Sequence, residues 1–151
     1  MVHDTRSATL AGTQSTGHAQ EAGGTDGGPR PTNLVLVGGG EAGEEGLCAG
    51  VERGIYVTRL WYTNILRPED TAFTAVTRDG TFLIEDGRVT SRVADMRITD
   101  TALGILGRTR ALGARTRLCV DGEFYGRRFA TGTVCPPLRS DEVRFTGSAG
   151  E

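Results

Sequence analysis

Thr77-Arg78-Asp79-Gly80-Thr81-Phe82-Leu83-Ile84-Glu85-Asp86-Gly87 is the stretch that decides the fold class of this chain. Thr81 to Glu85, rich in strand-forming residues, stands between two Asp-Gly pairs. Asp-Gly suits a tight hairpin turn, because Gly adopts positive φ at no steric cost and Asp tolerates it. The pattern predicts a three-stranded meander, with strands before Asp79, between the two pairs, and after Gly87.

Working outward, Thr71 to Thr77 reads as the first strand of the meander. Ile55-Tyr56-Val57-Thr58-Arg59-Leu60-Trp61-Tyr62-Thr63 reads as another, being rich in β-branched and aromatic residues. Its apolar residues fall on both faces, as in a strand covered on two sides. Thr99-Asp100 is placed to cap a helix running to Leu112, with Leu103, Leu106 and Leu112 inward and Gly113 ending it. Short strands follow, ending with Val143-Arg144-Phe145-Thr146. Upstream, Asn33 to Val37 predicts a short strand before the Gly38-Gly39-Gly40 break. Glu41 to Arg53 is a weak helix, weakened by Gly43, Gly46 and Gly50, with Leu47, Val51 and Cys48 on its apolar face.

Residues 1–32 are expected to be an irregular, mobile head, since Ser, Thr, Gly and Ala dominate them. Residues 33–147 then form the folded domain and 148–151 a tail. The fold class is α+β: a predominantly antiparallel sheet with a hairpin meander and one or two short helices.

Composition narrows the function. The chain has 151 residues, 37% of them hydrophobic and 23 of them Gly, which allows one compact domain with a modest core. A net charge of −2 removes the electrostatic argument for nucleic acid or a membrane surface. All 17 basic residues are Arg, the side chain better suited to clamping carboxylates, so a peptide-terminus role stays open for one or two of them. The start, Met1-Val2-His3-Asp4, lacks the basic and apolar regions of a signal peptide, and no apolar run is long enough for a membrane span. Three cysteines, Cys48, Cys119 and Cys135, make no C-x-x-C pair and no even framework. A cytoplasmic, reduced protein is the expectation.

Catalytic constellations are scarce. Helical turn geometry brings two imidazoles onto one zinc ion when a helix carries His-Glu-x-x-His. The two histidines here, His3 and His18, both sit in the Gly/Ser-rich head without that spacing. A Ser-His-Asp triad from Ser7 or Ser15 with His18 would rest on a segment too loose to hold a nucleophile. Gly38-Gly39-Gly40 reads as a loop rather than a phosphate cradle. Cys48 reads as a core filler, and Cys119 and Cys135 as structural thiols or as ligands to a metal held elsewhere. Asp79 and Asp86 read as turn formers. Arg59, Trp61 and Tyr62 together are a candidate peptide-binding surface.

The order of motifs adds a resemblance. Val51-Glu52-Arg53-Gly54-Ile55-Tyr56-Val57-Thr58-Arg59-Leu60-Trp61-Tyr62-Thr63-Asn64 resembles a segment of the TldD/PmbA (TldE) metallopeptidases, and Thr77 to Gly87 is similar to a hairpin of that family. Asn33-Leu34-Val35-Leu36, Ser15-Thr16-Gly17-His18-Ala19, Pro137-Leu138-Arg139 and Val143-Arg144-Phe145-Thr146-Gly147 resemble further family motifs in the same order.

The resemblance implies a cytoplasmic metallopeptidase of paired subunits around an internal chamber, with zinc held by His-Glu-x-x-x-His on an upstream helix. This chain matches only the C-terminal part and lacks that helix, so peptidase activity and bound zinc are not expected from it alone. The family's cysteine ligand lies in a Cys-Gly-Lys-x-Gly-Gln context, which Cys119-Val120-Asp121-Gly122 echoes in part. Cys119 is therefore carried over as a metal ligand that acts only with the missing zinc helix. Expected partners are a family-type partner subunit or the missing N-terminal half, and a peptide substrate, in an oligomer without nucleic acid or membrane. The alternatives are a non-catalytic peptide-binding or assembly module, and a truncated gene remnant.

Overall fold

The computed structural model describes residues 1–20, 28–40, 42–120 and 131–148. In chain order the elements begin with α1 (Thr5–Ala11), β1 (Asn33–Val35), α2 (Glu44–Cys48), β2 (Arg53–Arg67), β3 (Ala72–Glu85) and β4 (Arg88–Arg92). They continue with β5 (Met96–Thr101), α3 (Ala102–Gly107), β6 (Thr109–Leu112), β7 (Arg117–Val120), β8 (Gly132–Cys135), β9 (Leu138–Ser140) and β10 (Phe145–Ser148). The result is the expected α+β class, dominated by antiparallel pairing. Two compact units emerge: Met1–Leu36 with Arg117–Cys135, and Val37–Thr116 with Pro136–Glu151.

In the second unit, β3 is the central strand. It pairs with β2 along one side, while β5 and β4 take successive halves of the other. β10 extends the sheet beyond β5. The meander is therefore β2–β3–β4, not the predicted one: the strands read at 71–77 and 81–85 are a single strand, β3. Asp86-Gly87 is the predicted tight turn, with φ of 47° and 79°, joining Glu85 to Arg88. Asp79-Gly80 is no hairpin: both residues lie inside the continuous strand β3. They oppose the single residue Thr58 between the pairs Val57–Thr81 and Arg59–Arg78, which makes them a β-bulge. The positive φ that Asp-Gly supplies, 63° and 134°, is used to bend a strand rather than to reverse it. Thr58 Oγ1 lies 2.8 Å from both the Arg78 and Gly80 carbonyl oxygens, so its hydroxyl can serve the carbonyls that the bulge displaces.

The core of this unit is small. Ala75 and Val76 are both buried although they point to opposite faces, so the middle of β3 is covered on two sides. Ala72, Ile84, Ile98, Leu47 and Cys48 complete the apolar interior. Thr77 and Thr81 are fully buried and satisfy each other: Thr81 Oγ1 donates to Thr77 Oγ1 at 2.7 Å, and the Met96 amide donates to Thr77 Oγ1 at 2.9 Å.

Both predicted helices shrink. The one expected over residues 41–53 spans only Glu44–Cys48, and β2 starts at Arg53. Tyr56 Oη donates to Glu44 Oε2 at 2.9 Å, tying the short helix to that strand. The helix expected from Thr99 is capped two residues later by Thr101, whose Oγ1 accepts from the Gly104 amide at 3.0 Å. Thr99 and Thr101 are instead used in pairing with Thr74 and Ala72 of β3. The helix ends at Gly107, residues Thr109–Leu112 form β6 against β9, and Leu103 and Leu106 are exposed rather than inward.

The first unit holds the sheet β1–β8–β7, parallel between β1 and β8 and antiparallel between β8 and β7. Its head contains a helix, α1, where irregular chain was expected. Asp4 and Ser7 form a reciprocal capping box, and Gly12 ends the helix at φ 64°. The Gly-rich stretch at 21–27, the Asp121-Gly122 pair and most of the 148–151 tail lie outside the described residues.

Candidate functional site

Sequence reasoning grouped Arg59, Trp61 and Tyr62 on one strand, and the structure brings them together on the outer half of β2. Arg59 and Trp61 are two residues apart and share a sheet face. The Arg59 guanidinium carbon lies 4.3 Å from the centroid of the Trp61 ring. Tyr62 meets Trp61 edge-on, with centroids 6.0 Å apart. A second bulge produces that meeting: Trp61 pairs with Val76 and Asn64 with Thr74, so Tyr62 and Thr63 together oppose Ala75. Tyr62 sits at φ 49°, a left-handed conformation that costs a non-glycine residue about 1–3 kcal/mol. Its carbonyl accepts a hydrogen bond from Asn64 Nδ2 at 3.1 Å.

Asp79 is the partner the sequence reading missed. Its Oδ2 accepts from Arg59 Nη1 at 3.1 Å, so the guanidinium contacts both a carboxylate and an indole. The signal was the Asp-Gly pair itself, which explained Asp79 as a turn former and concealed a second use. Arg59, Trp61, Arg78 and Asp79 line a shallow recess of about 260 Å³. The strand beside it is unusual for an edge. β2 runs for 15 residues, and among the described strands only β3 pairs with it. Trp61 is 41% exposed and Tyr62 67%, with Ile65 and Leu66 exposed further along. Natural edges are usually short, charged or covered, because an open one templates another strand. This surface can hold an extended chain by backbone hydrogen bonds and side-chain stacking. It brings no nucleophile and general base together.

The remaining candidates are dispersed. Cys48 is buried on α2, its thiol pushed up by burial and then by the Glu44 and Glu45 carboxylates. Cys119 is exposed on β7 and Cys135 half-buried on β8. His18 Nδ1 lies 2.8 Å from Thr16 Oγ1, while Ser15 Oγ donates to the His3 carbonyl and Ser7 Oγ to Asp4 Oδ1, so these serines are committed away from the imidazole. A closed or catalytic zinc site needs at least three protein ligands. Among the described residues no three His, Cys, Asp or Glu side chains are grouped to hold a metal, and the donor set here does not fit zinc by itself.

The family model of the PmbA/TldA metallopeptidase C-terminal domain matches residues 1–147. The chain belongs to that family. Solved structures share the fold of this PmbA/TldA C-terminal domain. TldE from Thermococcus kodakarensis is 22% identical with a TM-score of 0.70, the match covering 97% of this chain and 31% of that one. A putative modulator of a DNA gyrase from Thermotoga maritima is 22% identical with a TM-score of 0.64, covering 91% and 28%. A putative modulator of DNA gyrase from Bacteroides thetaiotaomicron is 24% identical with a TM-score of 0.60, covering 97% and 28%. The domain thus spans about a third of the length of these relatives. A comparison with the curated proteins finds no match. No helix among the described residues is long and apolar enough to cross a membrane.

Proposed function

We propose that this PmbA/TldA domain is the peptide-holding C-terminal part of a zinc metallopeptidase, and that it captures extended peptide along the open edge of β2. The observation that carries the reading is the outer edge of β2, which no other described strand pairs, beside exposed Trp61 and Tyr62. Strand addition supplies affinity through main-chain hydrogen bonds and tolerates many sequences, which suits a peptidase that degrades varied chains. Arg59 keeps the Trp61 ring in place, and the guanidinium is exposed enough to exchange Asp79 for a peptide carboxylate.

Hydrolysis belongs to the assembled enzyme in this reading. The zinc helix is contributed by an N-terminal region or a partner subunit, and the chain alone binds without cutting. Exposed Leu60, Ile65 and Leu66 make pairing with such a partner, or self-association, part of the same proposal.

The test uses the purified chain and unstructured peptides of about ten residues. The chain has one tryptophan, Trp61, whose fluorescence reports directly on the surface. The reading expects a saturable fluorescence change, no cleavage products by mass spectrometry, and no zinc retained after dialysis. Peptides N-methylated on alternate amides should bind at least tenfold more weakly. Equal binding of methylated and unmethylated peptides, or turnover by the chain alone, contradicts it.

A further inference from the structure

The sheet β1–β8–β7 carries a feature that peptide capture on β2 does not use. Strand register sets Cys119 opposite Thr133, and Cys135 opposite Arg117. Residues opposite one another share a sheet face, as do residues two apart on one strand. Cys119 and Cys135 therefore occupy diagonal positions on one face. Diagonal neighbours in an antiparallel pair lie about 7–8 Å apart, within mutual reach of their side chains. Both thiols are free.

We propose that Cys119 and Cys135 form a reversible thiol–disulfide pair, closed by small-molecule disulfides and reopened by small-molecule thiols. The exposed Cys119 reacts first. Its thiolate attacks one sulfur of the oxidant, breaking the oxidant's S–S bond, forming a mixed disulfide and releasing one small thiolate. Cys135 then loses its proton to solvent and attacks the Cys119 sulfur. That step forms the Cys119–Cys135 bond and expels the second small thiolate. The oxidant disulfide is reduced to two thiols as the two cysteines are oxidised to one disulfide.

Position makes the bond a switch rather than a staple. Ordinary disulfides span about 4.4–6.8 Å between Cα atoms, and the diagonal distance lies just beyond that range. β7 is an edge strand of the sheet, paired only with β8 among the described strands, so it has room to shift. A bond closed by such a shift is strained, and strained bonds are the more easily reduced ones. The inference is independent of the reading given for β2.

The experiment incubates the purified chain in graded mixtures of oxidised and reduced glutathione, followed by alkylation, intact mass and peptide mapping. The expected result is a species lacking two hydrogens, with a Cys119–Cys135 linked peptide, that disappears as reduced glutathione rises. Cys119→Ser and Cys135→Ser should each abolish it and instead take up one glutathione on the remaining thiol, whereas Cys48→Ser leaves it intact. Circular dichroism checks that the variants fold, and the wild-type peptide map decides the matter if they do not. Stable glutathione adducts on Cys119 or Cys135 without the internal bond overturn the proposal. Linkage to Cys48, or between two chains, overturns it equally.

Discussion

Arg59 and Trp61 lie two residues apart on β2, with the guanidinium carbon stacked 4.3 Å from the centroid of the indole ring. The same guanidinium donates to Asp79 Oδ2 at 3.1 Å. If β2 receives a peptide as proposed, this stacking would hold the Trp61 ring in place and lower the ordering cost of binding.

Arg59→Ala should release the Trp61 ring without unfolding the sheet. Exposed ion pairs and cation–π contacts each contribute about 1 kcal/mol or less, so the melting temperature should move little. Acrylamide quenching of Trp61 should rise, and peptide affinity should fall several-fold. Unchanged quenching would show that the stacking does not hold the ring.

Gly80→Ala should destabilise the chain by about 1–3 kcal/mol. Gly80 lies at φ +134°, and an added Cβ would fall 2.7 Å from the Phe82 ring. Gly107→Ala is the control, because nothing lies within 4 Å of its added Cβ. Urea unfolding of both variants reads the difference. A Gly80→Ala variant as stable as the control contradicts the assignment of a bulge at Asp79-Gly80.

Thr77→Val keeps the shape of a fully buried side chain but removes the acceptor for the Met96 amide and for Thr81 Oγ1. An unpartnered buried donor costs about 1–3 kcal/mol. Thr81 Oγ1 also reaches Asp95 Oδ1 at 3.1 Å, so the larger penalty falls on the Met96 amide. Faster exchange of that amide, with lower urea stability, is the expected outcome.

Acid should loosen the junction of β5 and β10 through Asp100. Burial pushes its carboxyl up, but hydrogen bonds from the Thr101 and Arg144 amides and the Arg108 guanidinium outweigh it, and the net shift is down. A carboxyl depressed in the folded state contributes stability above its unfolded value of about 4, and that stability is lost as pH falls through the lower folded value. Asp100→Asn should therefore weaken the chain at neutral pH and flatten its acid unfolding below about pH 4. A variant whose stability still parallels that of the wild type down to acid pH would exclude Asp100 as a source of the dependence.

Strand composition and the Asp86-Gly87 turn made the antiparallel strands and the β3–β4 hairpin legible in the sequence, because both are local signals. Asp79-Gly80 misled for the same reason: the pair specifies positive φ, and only the pairing of Thr58 decides whether the chain turns or bulges. Thr99 looked like a helix cap because its use in β5 depends on β3, which is remote in sequence. Helix α1 carried readable signals, Asp4 with Ser7 and then Gly12, which the low-complexity composition of the head obscured. The grouping of Arg59, Trp61 and Tyr62 was visible from spacing on a strand. The Asp79 contact was not, since it needs the register of β2 against β3.

Amide hydrogen exchange with and without saturating peptide tests the central claim most directly, because strand addition must protect backbone amides on the edge that receives the chain. The account predicts new protection within Thr58–Arg67 of β2, with little change in β5 or β10. Peptide binding that leaves the amides of β2 exchanging at their unliganded rates, or that protects a different strand, would contradict it.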